Sequence, residues 1–154
     1  GENDNFDLEN SHVIPALILK VDRAMHVGKR SIELWGTGEA SREFLYVDDC
    51  ANAIAHSLDA DLDAEPINIG TGQEVKIKEL ISMIAKIMGY DGEINFNSAF
   101  PDGQPRRCLD VSKSHKLFGF EAKTKLYDGL KNTVSWYYKN KFKEGLDEHL
   151  SKVR

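Results

Sequence analysis

Arg42 stands where a folded chain can hold a phosphate group. It lies between the glycine turn Gly36-Thr37-Gly38 and the β-prone stretch 43–47. A planar guanidinium can bind two oxygens of one anion at once, so an arginine at such a junction indicates a phosphate ligand. The residues alone leave one alternative open, in which Arg42 is an exposed strand arginine paired with Glu39 or Glu43.

The elements that must position Arg42 are a strand before the turn, a strand after it and a helix. Residues 32–35 form an apolar run of strand length, and residues 42–47 are again β-prone. Asp48 and Asp49 stand where an N-cap and a first-turn carboxylate belong. The apolar residues that follow have helical spacing and predict an amphipathic helix. These residues are Cys50, Ala51, Ile54, Ala55 and Leu58.

The rest of the chain alternates predicted helices and strands. Apolar periodicity predicts further helices at 13–25, 78–88, 111–118 and 126–142. Short β-prone runs predict strands at 66–70, 75–77 and 93–96. Ser11 is expected to cap the first of these helices, and Gly28 to end it. This alternation is typical of an α/β fold with a doubly wound sheet.

The composition excludes several classes of protein. The chain has 154 residues, a net charge of −5 and 41% hydrophobic residues, which suits one domain with a substantial core. Mild acidity and the lack of a basic block argue against nucleic acid as a partner. No apolar run reaches the roughly 20 residues of a membrane span. Cys50 and Cys108 form no C-x-x-C pair and suit a reducing compartment, so we expect a cytoplasmic protein without a metal site.

The sequence lacks a dinucleotide-binding glycine fingerprint. Gly36-x-Gly38 is followed at the third glycine position by Ser41, and Gly70-x-Gly72 by Val75. Both glycine pairs are therefore interpreted as strand ends that turn near a ligand, and not as a loop that cradles a dinucleotide.

Four motifs resemble the extended short-chain dehydrogenase/reductases that act on nucleotide sugars. W-G-T-G-x-x-x-R-E-F-x-Y-V-D-D (residues 35–49) and N-I-G-T-G (68–72) are shared by many members. N-S-H-V-I-P-A-L (10–17) and P-D-G-Q-P-R-R (101–107) are more specific and are similar to the GDP-L-fucose synthase branch. The motifs stand in family order over residues 1 to about 138.

The resemblance implies that residues 1–154 are a single substrate-binding half. This half would contain the last strands and helices of the doubly wound sheet and the smaller substrate domain. The dinucleotide-binding half, which would hold most of the NADP, would be absent from this chain. The family's Tyr-x-x-x-Lys pair lies upstream of the position of His12, so we interpret Tyr127…Lys131 and Tyr137…Lys141 as chance matches.

The resemblance assigns catalysis to His12. The matching histidine borders the nicotinamide and the sugar and is proposed as the acid of epimerisation. Reprotonating an enolate on its opposite face needs a positioned acid that titrates near neutrality, as histidine does. The alternative is a capping or structural histidine. The family's partner base is a cysteine to which neither Cys50 nor Cys108 corresponds.

The resemblance assigns substrate binding to five residues. Lys20, Arg42 and Arg107 would contact the phosphates, and Trp35 would stack on or border the nucleotide. Asp102 would accept a hydrogen bond from a ribose hydroxyl, or else cap a turn. The alternatives are a solvated surface lysine at Lys20 and a core tryptophan at Trp35.

The function that this resemblance implies belongs to a complete enzyme. Such an enzyme would convert GDP-4-keto-6-deoxymannose to GDP-L-fucose by epimerisation and NADPH-dependent reduction, and would be a homodimer. The present chain alone is expected to be inactive. One alternative is another extended-family epimerase or dehydratase that uses a UDP- or dTDP-sugar. A second is a non-catalytic module that binds nucleotide sugars or another protein.

Overall fold

The chain alternates helices and short strands, as the sequence predicts. The computed structural model describes residues 1–8, 10–62 and 64–141, and this part contains five helices and five strands. The helices are α1 (Val13–His26), α2 (Val47–Ser57), α3 (Ile77–Met88), α4 (Ser112–Phe118) and α5 (Leu126–Asn140). The strands are β1 (Ser31–Trp35), β2 (Ser41–Glu43), β3 (Glu74–Lys76), β4 (Glu93–Asn97) and β5 (Arg106–Arg107). The predicted α/β class is confirmed, and position 142 of the predicted last helix lies outside the described residues.

Two small sheets carry the strands. β1 and β4 pair in parallel, from Ser31 opposite Glu93 to Trp35 opposite Asn97. In the other sheet β2 is central, antiparallel to β3 and parallel to β5. Because β1 and β4 end side by side, the loops that follow them lie at the same edge, where parallel sheets commonly bind ligands.

The core lies between α1, α3, α5 and the buried face of β1. The apolar periodicity of α3 is fully used, since its buried residues fall three or four positions apart along one face. Gly89 ends this helix at a φ of +76°, in the left-handed region that glycine adopts without strain. The largest fully buried side chains include Phe6, Ile18, Leu19, Leu80, Ile81, Ile84, Leu130 and Tyr137.

The start of α1 differs from the predicted cap. His12, and not Ser11, occupies the N-cap position, and its side chain makes no capping hydrogen bond. Pro15 falls at the third helical position and has no N–H, so one of the two donors that an N-cap side chain normally binds is missing.

The predicted helix forms as α2 with Asp49 in its first turn, but its cap, its buried face and the strand predicted at 66–70 differ from the prediction. The helix begins at Val47 with Tyr46 at its N-cap, and its predicted apolar face is largely uncovered, with Ile54 54% and Leu58 81% exposed. The predicted strand at 66–70 has no regular secondary structure. A strand is stable only when a neighbour satisfies its backbone groups, and none of the described strands pairs with this segment.

A buried polar contact joins α1 to the end of α5. The Tyr137 hydroxyl donates to Asp22 Oδ2 at 2.8 Å, and the Lys141 ammonium lies 3.2 Å from Asp22 Oδ1. Burial, together with the hydrogen bond to Asp22, raises the pKa of Tyr137 well above its ordinary value. Tyr137 and Lys141 are thus engaged inside the fold, which supports the interpretation of this Tyr-x-x-x-Lys match as structural.

Replacing Asp22 by alanine is expected to destabilise the chain by about 3 kcal/mol, because the Tyr137 hydroxyl and the Lys141 ammonium would lose their buried partner. Urea unfolding followed by circular dichroism measures this loss. Asp48→Ala is the matched control, because Asp48 lies exposed in the first turn of α2 and its loss should cost no more than about 1 kcal/mol. Equal shifts for the two variants would contradict a stabilising role for the Asp22 contact.

Candidate functional site

One cavity collects five of the six residues to which the sequence assigns a functional role. It encloses about 590 Å³ at the edge where the loops after β1 and β4 meet the start of α1 and the β2–β5 pair. His12, Trp35, Arg42, Asp102 and Arg107 line it, together with Val13, Gly38, Ala40, Glu43, Phe44 and Ile77. Elements that are distant in the chain therefore converge on one site.

Arg42 and Arg107 are direct neighbours across β2 and β5, although 65 positions separate them in sequence. Residues paired across two strands project to the same side of a sheet, and both side chains line the cavity. Arg42 Nη1 donates to the Ser41 carbonyl at 2.6 Å. Within the described ranges, no carboxylate lies at ion-pair distance from either guanidinium. Two guanidinium groups at one wall, neither held in an ion pair, can bind a polyvalent anion.

The ion pairs that were the alternative for Arg42 are not formed. Glu39 is instead bonded to Lys76 at 2.7 Å and, over a shorter distance, to Lys78. The hydrogen bond from Lys76, assisted by that from Lys78, lowers the pKa of Glu39 to about 2. Glu39 therefore joins the glycine turn to the β3–α3 junction and forms no ion pair with Arg42.

Glu43 lines the cavity and fixes its wall, a role that the sequence does not reveal. Its carboxylate accepts hydrogen bonds from the backbone N–H groups of Leu109 at 2.7 Å, Gly72 at 3.0 Å and Thr71. Burial raises the pKa of Glu43, but the backbone donors outweigh burial, and the net pKa lies below its usual range. The glycine turn at 70–72 signals in sequence that backbone N–H groups need an acceptor, but not which residue supplies it.

Asp102 fixes the loop that follows β1. Its carboxylate accepts from the Thr37 backbone N–H at 2.6 Å and from the Thr37 hydroxyl at 2.7 Å, and these bonds lower its pKa. Gly36 has a φ of +81°, and a Cβ there would collide with the Asp102 carboxylate. Of the two roles that the sequence leaves open for Asp102, the structure forms the turn contact, and its contact with a ribose stays a prediction.

Trp35 and His12 both present accessible rings at the cavity. Trp35 is 70% exposed, so it is not a core tryptophan. His12 is exposed at the N-cap of α1, where its carbonyl, and not its ring, accepts the first helical hydrogen bond, from Ala16 at 3.1 Å. The His12 imidazole is thus free of a capping role and can reach a ligand.

Lys20 is not brought to this cavity. It lines a second one of about 370 Å³ between α1 and β1, together with Arg23 and Glu33. Eight residues advance an α-helix by about 12 Å and turn it by about 80° beyond two full turns, so Lys20 faces away from the region of His12. Desolvation by burial lowers the pKa of Lys20. A phosphate contact from Lys20 stays a prediction that this geometry does not support.

Other kinds of site find no support in the part of the chain that the structure describes. None of its helices combines the length and the apolar character that crossing a bilayer requires. Its histidine, cysteine and acidic side chains form no group of three that could hold a metal ion.

Known proteins that are similar to this chain are of the kind that its motifs resemble. Residues 1–70 match the NAD dependent epimerase/dehydratase family. GDP-L-fucose synthase 1 of Arabidopsis thaliana is 45% identical over 140 residues, which cover 91% of this chain and 43% of that protein. GDP-L-fucose synthase of Escherichia coli (strain K12) is 40% identical over 149 residues, with 91% and 46% covered.

The fold is similar to a solved structure of the same kind. The crystal structure of a GDP-L-fucose synthetase from Naegleria fowleri bound to NADP superposes with a TM-score of 0.85 at 27% identity. The match covers 91% of this chain and 44% of that one. The chain thus spans somewhat under half the length of the relatives that it matches. Motifs, sequence identity and fold thus agree that the chain is homologous to part of the GDP-L-fucose synthases, which are extended short-chain dehydrogenase/reductases.

Proposed function

We propose that this chain is the nucleotide-sugar-binding part of an NADP-dependent enzyme that converts GDP-4-keto-6-deoxymannose to GDP-L-fucose. The observation that carries the proposal is the cross-strand pair Arg42–Arg107 in a cavity that also contains His12 and Trp35. This arrangement offers cations for a diphosphate, an aromatic face for a base and an imidazole for proton transfer.

The arginine pair is suited to the diphosphate. Each guanidinium presents several N–H donors in one plane and can bind two phosphate oxygens. Arg42 is half-buried and tied to the Ser41 carbonyl, whereas Arg107 is exposed beside the loop 101–105. The two residues thus combine a fixed cation with one that can adjust as the ligand enters.

His12 is suited to proton transfer at the sugar. Removal of a proton next to the 4-keto group leaves an enolate, and a proton delivered to the opposite face inverts that carbon. An imidazole at the cavity wall can deliver this proton near neutral pH. The base that removes the first proton corresponds, by resemblance, to a residue outside this chain.

The residues present do not form a complete NADP site. A dinucleotide diphosphate needs glycines at a helix N-terminus, and none of the described helices begins with such a loop. We therefore assign NADP, which supplies hydride for reduction at C4, mainly to a dinucleotide-binding half. Within this chain His12 would border the nicotinamide, as the resemblance implies. A homodimeric state and a cytoplasmic location stay predictions.

A second candidate uses the same clamp. Because Arg42 and Arg107 would contact only phosphates, they suit UDP- or dTDP-sugars as well as GDP-sugars. The motifs N-S-H-V-I-P-A-L and P-D-G-Q-P-R favour the GDP-sugar. A non-catalytic module would also bind GDP. In that case, replacing His12 would not change the turnover of the complete protein.

Arg42→Lys and Arg107→Ala are each expected to weaken GDP binding by about tenfold to a hundredfold, the equivalent of about 1.5–3 kcal/mol for a charge-assisted contact. Lysine keeps the charge at position 42 but loses the planar pair of donors. Isothermal titration calorimetry measures both affinities, and the double variant should lose less than the sum if both residues hold the same phosphates.

Arg106→Ala is the matched control for the clamp. Arg106 precedes Arg107 in β5, but its Nε binds Glu74 at 2.8 Å, so its loss should change GDP affinity less than twofold. GDP binding unchanged in both Arg42→Lys and Arg107→Ala would refute the clamp.

His12→Gln is expected to lower epimerisation by about 10²- to 10⁴-fold while GDP affinity stays nearly constant, because glutamine cannot act as an acid. The measurements are deuterium incorporation at C3 and C5 and product formation, in a protein that includes the dinucleotide-binding half. His56→Gln, an exposed change on α2, is the control. Normal exchange at both carbons in His12→Gln would make His12 a structural residue.

The 154-residue chain alone is expected neither to oxidise NADPH nor to bind it tightly, because it lacks the glycine loop that cradles a dinucleotide. Titration of NADPH fluorescence tests this expectation. Micromolar affinity of the isolated chain would contradict the assignment of the cofactor to another half.

A further inference from the structure

Trp35 carries a second aromatic ring on one of its faces. The rings of Trp35 and Phe100 are stacked, with centroids 4.7 Å apart and planes inclined by 13°. Trp35 lines the cavity that holds the arginine pair, whereas Phe100 lies outside the cavity lining. Because Trp35 is 70% exposed, the face that Phe100 does not cover is accessible.

The backbone around Phe100 is held in place. The Phe100 N–H donates to the Asn97 carbonyl at 3.2 Å, and the Gly36 N–H donates to the same carbonyl at 3.0 Å. Two residues beyond Phe100, the carboxylate of Asp102 binds Thr37 through both oxygens. The segment 97–102 is therefore fastened to the turn that follows Trp35 on both sides of the stacked pair.

We propose that Phe100 is a positioning residue for the nucleotide, which it serves by holding the Trp35 indole so that its open face stacks on the base. This inference rests on the proposed function. The arginine pair and Trp35 line the same cavity, so a nucleoside diphosphate bound by its phosphates can place its base on the indole.

The physical reason is preorganisation. An exposed indole without support samples several rotamers, and a ligand that stacks on it must restrict that freedom. Phe100 restricts it before binding, since an offset-stacked aromatic pair is favourable and its backbone is fixed by the bonds above. A base that joins the open face of Trp35 extends the stack without moving the ring.

The experiment isolates Trp35 spectroscopically. The chain contains two tryptophans, so Trp136→Phe leaves Trp35 as the single tryptophan reporter, while the stacking of position 136 on Phe6 keeps an aromatic ring. In this background we compare Phe100→Leu, which removes the ring but keeps an apolar side chain, with the conservative change Phe100→Tyr. Leu117→Ala, an exposed apolar change on α4, is the control.

Two ligands separate this inference from the proposed function. GDP carries both base and diphosphate, and inorganic pyrophosphate carries the charge alone. Phe100→Leu is expected to lower GDP affinity by about threefold to tenfold, to reduce the quenching of Trp35 by GDP, and to lower the Trp35 anisotropy of the free chain. Pyrophosphate binding should not change, and Phe100→Tyr should behave like the background chain.

Every other outcome contradicts either the positioning role of Phe100 or the proposed function. Equal GDP affinity and quenching in Phe100→Leu and in the background chain would overturn the positioning role. An equal loss for GDP and pyrophosphate would also overturn it, because the change would then act on the phosphate site. No binding of either ligand to the background chain would refute the proposed function, and the base-stacking role with it.

Discussion

The shape of the site depends on the hydrogen bonds that the Glu43 carboxylate accepts. It binds backbone N–H groups from the turn at 70–72 and from Leu109, just beyond β5. β2 is thereby fastened to a turn and to the strand that carries Arg107. Each bond is charge-assisted, which makes it stronger than a bond between neutral groups. Together with Glu74, which binds both Ser41 and Arg106, Glu43 holds the two-residue strand β5 in register beside Arg42.

The helices that form the core could be predicted from the sequence because their partners are in the chain. The apolar faces of α1, α3 and α5 pack on one another, so periodicity and burial agree. For α2 the helix was predicted correctly but its apolar face is largely uncovered, and the strand predicted at 66–70 did not form because no described strand pairs with it. A local pattern specifies which face or edge needs a partner, and only tertiary contacts decide whether it has one.

Some residues of the candidate site could be predicted from the sequence, and others could not. Motif resemblance identified five residues that share a cavity, including a pair 65 positions apart. Glu43 and Phe100 were missed because their roles arise from contacts with distant segments, which no spacing rule reveals. Lys20 was assigned to the same site by resemblance, but a rotation of about 80° along α1 relative to His12 directs it to a different cavity.

The parallel pairing of β2 with β5 is weakened when no anion is bound. Two guanidiniums on adjacent strands repel each other, and β5 contributes only two residues to the ladder that opposes this repulsion. An anion that bridges the arginines also bridges the strands, so the free energy of binding adds to the free energy that holds the sheet together. Such an anion would then be a structural member of the small sheet and would complete the shape of the site.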